Sequence, residues 1–161
     1  MDARGVSVLV RRARAEDAPA LRAILQDTLE STWLPQLSPE AAAEARRGVR
    51  PAAYVAERGR LFRVAEADGE VVGLVDWDGD FVNALHVRGS HAGRGIGGRL
   101  MDVAEAGIAA AGFAAARLET DTFNVRSQAF YAKRGYVEAD RYPDTEWNSG
   151  LTTLLLVKRL V

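Results

Sequence analysis

Apolar and polar positions recur along this chain with two different periods, and the changes of period mark its elements. Residues 6–12 (VSVLVRR) read as a short strand. Leu21, Ile24, Leu25 and Leu29 then follow the helical repeat behind the acidic pair Glu16 and Asp17, which predicts an amphipathic helix. The period breaks over 31–38, around Trp33 and Pro35. Ser38-Pro39-Glu40 supplies a cap and a first-turn proline for a second helix reaching about Arg47. Residues 61–67 and 70–78 read as strands joined across Asp68-Gly69, a pair suited to a tight hairpin. Asp78-Gly79-Asp80 then turns into a strand over 81–87, completing an antiparallel meander.

Beyond residue 87 the pattern changes. A glycine-rich stretch runs into a long helix over 96–111, with Ile96, Leu100, Val103, Ala104 and Ile108 inward and Gly112 as its stop. A strand over 114–120, a short helix over 124–134 closed by Gly135, and strands over 136–142 and 151–160 complete the chain. The expected fold is α/β (α+β): a mixed, mostly antiparallel sheet of about six to seven strands with one βαβ crossover, flanked by about four helices. At roughly 150 residues per domain, the 161 residues make one domain over 1–161.

Composition narrows the function. Lys+Arg 21 against Asp+Glu 22 leaves a net charge of -1, which argues against a nucleic-acid or membrane-surface partner. The absence of cysteine excludes a disulfide framework, a zinc–thiolate site and a cysteine nucleophile. No run approaches the ~18 apolar residues of a membrane span, and residues 1–7 carry no leader-like apolar stretch. The expectation is a cytoplasmic protein. Its numerous arginines are spread over every segment and read as a compositional habit.

Two stretches carry chemistry. Gly93-Arg94-Gly95-Ile96-Gly97-Gly98 lies between a strand and a helix, where unpaired backbone N–H groups and the helix dipole hold an anion. Glycines let a phosphate approach the backbone closely. The charge agrees, for residues 81–101 contain Arg88, Arg94 and Arg99 but no Asp or Glu. The six residues satisfy G-x-G-x-x-G, the dinucleotide fingerprint, with Glu119 and Asp121 at the end of the next strand. Against that reading, the preceding strand closes a meander, and too little chain follows for a doubly wound half. The second stretch is Asn124-x-x-Ser127-x-x-Phe130-Tyr131-x-Lys133-x-Gly135-Tyr136. Seven residues apart on a helix, Asn124 and Tyr131 share a face, turning an amide and a phenol the same way.

Together, LHVRGSHAGRGIGG and NVRSQAFYAKRGY resemble the motifs of the GNAT superfamily of acetyl-CoA-dependent N-acetyltransferases, L-x-V-x-P-x-x-Q/R-x-x-G-x-G/A and N-x-x-[SA]-x-x-[FL]-Y-x-x-x-G-[FY]. The order of elements over residues 6–160 is similar too. The departures are Gly89 at the proline position and Ala92 at the Q/R position, which removes one phosphate-contacting side chain. The resemblance implies a sheet splayed in its middle, and acetyl-CoA as co-substrate with no metal. It implies that the backbone of Leu85, His86 and Val87 pairs with the pantetheine arm, that Gly93 to Gly98 take the pyrophosphate, and that Asn124 holds the cofactor near the thioester. Tyr131 would protonate the departing thiolate. Glu119, five residues before Asn124, resembles the general base of ribosomal-protein alanine acetyltransferases, with Asp76, Asp78 and His86 in reserve. The acceptor would be a small-molecule or peptide amine. Its identity and the oligomeric state, a homodimer included, stay open.

Other features carry less. Asp76-x-Asp78-x-Asp80 mimics half a calcium loop, but its glycine falls at the wrong position and Val87 stands where a glutamate is needed, so a solvated acidic turn is expected. His86 and His91 lack a third ligand at metal spacing. Trp77 is expected in the core, while Trp33 and Trp147 lie in irregular stretches that border the acceptor pocket in the resembled family. Two further readings remain at this point: an acyl-CoA-binding sensor without catalysis, and a nicotinamide-dinucleotide-binding reductase.

Overall fold

The computed structural model describes residues 7–145 and 149–160. Seven strands, β1 (Val8–Arg12), β2 (Arg63–Ala67), β3 (Glu70–Asp78), β4 (Phe81–Val87), β5 (Ala115–Asp121), β6 (Val137–Pro143) and β7 (Thr152–Arg159), form one sheet in the order β1-β2-β3-β4-β5-β7-β6. Every neighbouring pair is antiparallel except β4 and β5. A single parallel pair is incompatible with the doubly wound half that a dinucleotide reductase of the common type requires.

Among the described residues, five α-helices flank the sheet: α1 (Ala18–Thr28), α2 (Pro39–Arg46), α3 (Val49–Arg58), α4 (Ile96–Ala110) and α5 (Val125–Lys133). α3 is the one the hydrophobic pattern does not announce. Its buried face is Pro51 and Val55 together with Tyr54 and Arg58, whose polar ends bond to a buried carboxylate, so the helical repeat is disguised as polar sequence. The expected strand from 61 likewise begins at Arg63, because Gly59–Leu61 forms a 3-10 turn.

The hairpin and the stops follow from glycine. Asp68 and Gly69 hold φ of 51° and 80°, the pair of positive angles that a two-residue hairpin needs. Gly112 and Gly135 close α4 and α5 at φ 97° and 98°. Ser38 caps α2 by accepting from the Ala41 amide at 3.2 Å.

The sheet is covered on both faces. On one, α4 buries Ile96, Leu100, Met101, Ala104 and Ile108 against Val72, Val75, Leu118, Leu154 and Leu156. Met101 takes the fully buried place expected of Val103, which is only half-buried. On the other, α1 and α3 bury Leu21, Ile24, Leu25 and Val55 against Phe62, Val64, Val71, Leu74 and Ala84. Trp77 packs against the α4 side as expected and crosses Gly107, where a Cβ would lie 2.5 Å from its Cζ2. Among the described residues no helix is long and apolar enough to cross a membrane.

Candidate active site

The sheet opens in its middle. β4 and β5 share only two register pairs, Phe81 with Arg117 and Val82 with Leu118. Beyond Val82 the strands part, so Leu85, His86 and Val87 stay paired to β3 on one side and offer unpaired backbone to the gap on the other. A cleft of about 1180 Å³ occupies the gap and extends to both faces of the sheet.

One end of the cleft is the start of α4. Gly93 and Gly95 hold φ of 76° and 78°, and a Cβ at either would meet nothing within 4 Å, so these glycines serve the backbone path and leave the space above it clear. The first amides of α4 have no carbonyl partner a turn back and carry the positive end of the helix dipole, and the residues that bear them border the opening. Gly93, Gly95, Ile96, Gly97 and Gly98 line the cleft, and so do His91 and Ala92. Arg94 is exposed and stands outside that lining. Of the arginines that gave this stretch its charge, Arg88 bonds to the Val71 carbonyl at 3.2 Å and Arg99 to the Val8 carbonyl at 2.7 Å. Those two tie the loop and α4 to the sheet rather than to the opening.

α5 supplies the next wall. Asn124 caps it, its side chain accepting from the Ser127 amide at 3.2 Å, and Ser127 is bonded through its hydroxyl to Thr120 of β5 at 2.8 Å. Both Asn124 and Tyr131 line the cleft, as their spacing predicts. Tyr131 is buried, with its ring held edge-on by Phe130 and Tyr136 at centroid distances of 5.1 and 5.5 Å. Its hydroxyl has no hydrogen-bond partner among the described residues, and burial pushes its pKa well above the usual phenol range. A phenol so placed is neutral at physiological pH and free to donate.

Glu119 reaches the cleft from β5 on the face opposite the α4 core, and accepts a hydrogen bond from the Tyr142 hydroxyl of β6. The reserve carboxylates behave differently. Asp76 is fully buried and takes bonds from Tyr54 at 2.7 Å, Arg58 at 2.8 and 3.0 Å, and Asn83 at 3.0 Å, so it serves as an anchor for α3 rather than as a base. Asp78 is exposed at the rim, 3.7 Å from Arg58. Asp80 is locked to Arg117 by bonds of 2.9 and 3.0 Å. The expected solvated acidic turn is therefore right for Asp78 alone. The His86 imidazole lies on the α1 side and is pushed down to about 4 by burial, hence neutral.

The remaining wall is irregular chain. After α1 the backbone widens into a π turn over Leu29–Trp33, which brings Trp33 into the cleft and edge-on to Phe123 at 5.6 Å. Trp147 lies outside the described residues. Tyr54 and Arg58 of α3 and Tyr142 of β6 also line this end, and sequence reasoning singled out none of them. Only the spacing of Pro51, Tyr54, Val55 and Arg58 could have pointed to the first two. No group of three or more His, Asp or Glu among the described residues is arranged to hold a metal ion.

The sequence profile of the acetyltransferase (GNAT) family matches residues 18–136, nearly three quarters of the chain and the whole of the glycine stretch and α5. The chain belongs to the GNAT acetyltransferase family. This GNAT chain is 36% identical over 95 residues to the blasticidin-S acetyltransferase of Streptomyces morookaense, covering 59% of this chain and 68% of that protein. Its fold is similar to that of a GCN5-related N-acetyltransferase of Rhodopseudomonas palustris, also named a class-II aminotransferase, with a TM-score of 0.77 and 26% identity over 95% and 96% of the two chains. The PaiA N-acetyltransferase of Thermoplasma acidophilum, solved in complex with coenzyme A, shares the fold at a TM-score of 0.75 and 19% identity, over 95% and 99% of the chains.

Proposed function

We propose that this GNAT chain transfers an acetyl group from acetyl-CoA to a primary amine by direct attack. One observation carries the reading. The gap between β4 and β5 brings together unpaired strand backbone, the bare amides of α4 and the Tyr131 hydroxyl, which has no partner among the described residues, in a single cleft.

The cradle fits the co-substrate. Gly93 and Gly95 leave the space over the α4 amides clear, and those amides, with Gly97 and Gly98, hold a diphosphate without any side chain at Ala92. Leu85, His86 and Val87 pair with the pantetheine amides as an added strand would, and Asn124 keeps the reactive end beside α5. Arg94, outside the cleft lining, contributes charge at a distance. When bound, acetyl-CoA supplies the activated acetyl group.

The chain's own residues do the proton work. Glu119 accepts a proton from the ammonium nitrogen, freeing the lone pair for attack. Tyr131 donates its proton at sulfur, so the thiol leaves without carrying full charge. Its raised pKa keeps that proton in place until it is needed. A backbone N–H of the parted strand stabilises negative charge on the carbonyl oxygen. The chain has no cysteine, so no acyl-cysteine forms and the two substrates meet directly.

The test is thiol release from acetyl-CoA with blasticidin S, an aminoglycoside, spermidine, an amino acid and a short peptide as acceptors, beside thermal-shift titrations with acetyl-CoA, CoA and NADH. Expected are stabilisation by both CoA species, none by NADH, and thiol release with at least one amine. Stabilisation by acetyl-CoA with no release for any of the five acceptors would instead mark a sensor and sink the proposal.

A further inference from the structure

We propose that Tyr142 is a positioning residue for Glu119, set on its side of the sheet by a bulge in β6. The inference rests on the reading of Glu119 as the base.

Tyr142 and Glu119 stand on the two strands that flank β7, so the phenol reaches across an intervening strand to donate its hydrogen bond. That reach depends on register. From Val137 opposite Val157 and Glu138 opposite Leu156, an unbroken ladder would bring Tyr142 opposite Thr152, on the face of Leu154 and Leu156 that packs under α4. The ladder slips by one residue between Glu138 and Asp140, and Tyr142 falls opposite Thr153 instead. Glu119 pairs with Leu155, two residues from Thr153, so both side chains stand on the same face. One extra residue in β6 thus turns Tyr142 from the core to the cleft, the use of a bulge expected beside a working site.

The contact engages one carboxylate oxygen, Oε2, and leaves Oε1 for the amine. A donor fixed to Oε2 holds the carboxylate in one rotamer, and proton transfer depends steeply on such alignment. The remaining charged groups that act on Tyr142 are Asp140, which raises its pKa, and Arg117, which lowers it. Arg117 is itself held by Asp80. Burial and the Glu119 carboxylate together push the Tyr142 phenol up to about 12, so at neutral pH it keeps the proton that it donates to Glu119.

The test compares Tyr142→Phe, Glu119→Ala and the double variant, each checked for an unchanged melting temperature. Kinetics use the fastest acceptor of the five-amine panel. Tyr142→Phe should lower kcat about tenfold, the scale of a hydrogen bond to a charged group, and leave KM for acetyl-CoA unchanged. The double variant should be no slower than Glu119→Ala alone, because Tyr142 acts only through that carboxylate. A wild-type kcat in Tyr142→Phe, or losses that multiply in the double variant, overturns the proposal. An independent reading comes from protein labelled with 13C at the tyrosine Cζ, where the signal missing in Tyr142→Phe should shift in Glu119→Ala. An unmoved signal refutes the contact even if acetylation proceeds. A moved signal in a protein that acetylates none of the panel amines leaves the contact standing but removes the base, and the positioning role with it.

Discussion

Asp76→Ala gives the sharpest check on how the cleft wall is held. The carboxylate is wholly enclosed and accepts four hydrogen bonds, two from Arg58 and one each from Tyr54 and Asn83. It also holds the Arg58 pKa above its ordinary value. Its removal strands a guanidinium whose side chain is only 22% exposed and takes an acceptor from two further donors. Breaking a buried ion pair from one side costs about 3–5 kcal/mol. Arg58 keeps the Trp77 carbonyl at 3.2 Å and some contact with water, so the lower end applies. About 3 kcal/mol at an m-value of ~2 kcal/mol/M moves the urea midpoint down by roughly 1.5 M, and lowers Tm by roughly 6–12 °C for a domain of this size. Adding Arg58→Met should recover part of the loss, because it removes the stranded charge, giving clear non-additivity between the two sites. A loss below about 1 kcal/mol at unchanged m, or strict additivity, would refute the account of Asp76 as the anchor of α3.

Three further outcomes follow from other parts of the molecule. Tyr131→Phe should reduce turnover roughly 10²–10⁴-fold, with melting temperature unaltered because the hydroxyl has no partner to lose among the described residues; comparable steady-state rates for the two proteins would remove the acid assignment. Gly107→Ala forces a Cβ to within 2.5 Å of Trp77 and should destabilise by about 1–3 kcal/mol, an effect that Trp77→Phe in the same chain should relieve in thermal melts. His86 is neutral when folded, with its pKa lowered from 6.5 to about 4. Its contribution to stability is therefore complete above pH 6.5 and falls as the pH drops toward 4, by at most about 1.4 kcal/mol per pH unit. Denaturant titrations across that window should show a shallower slope for His86→Gln, and an unchanged slope would place the proton uptake elsewhere.

Most of the fold is legible in the amino-acid order because most elements announce themselves locally. Asp68-Gly69, Gly112 and Gly135 carry their turns in their own backbone freedom. The buried face of α4 repeats every three to four residues. α3 escapes because two of its inward positions are Tyr54 and Arg58, and what makes them inward is Asp76, some 20 residues away on another strand. The site divides the same way. Asn124 and Tyr131 are joined by seven residues of helix, and the glycines by one loop, so spacing alone relates them. Tyr142 meets Glu119 only through a strand order and a one-residue slip that no local pattern records.

The two ends of the cleft draw on separate stretches of chain. One is built from the tail of β4, the head of α4, and α5; the other from the π turn, α3 and the end of β6. The Trp33 contact with Phe123 joins the two ends; the rest of the second end stands on its own segments. Under the proposed function, this division of labour would let the protein acquire a new client while keeping its currency, which makes the stretch from 29 to 58 and the end of β6 the natural places to engineer selectivity.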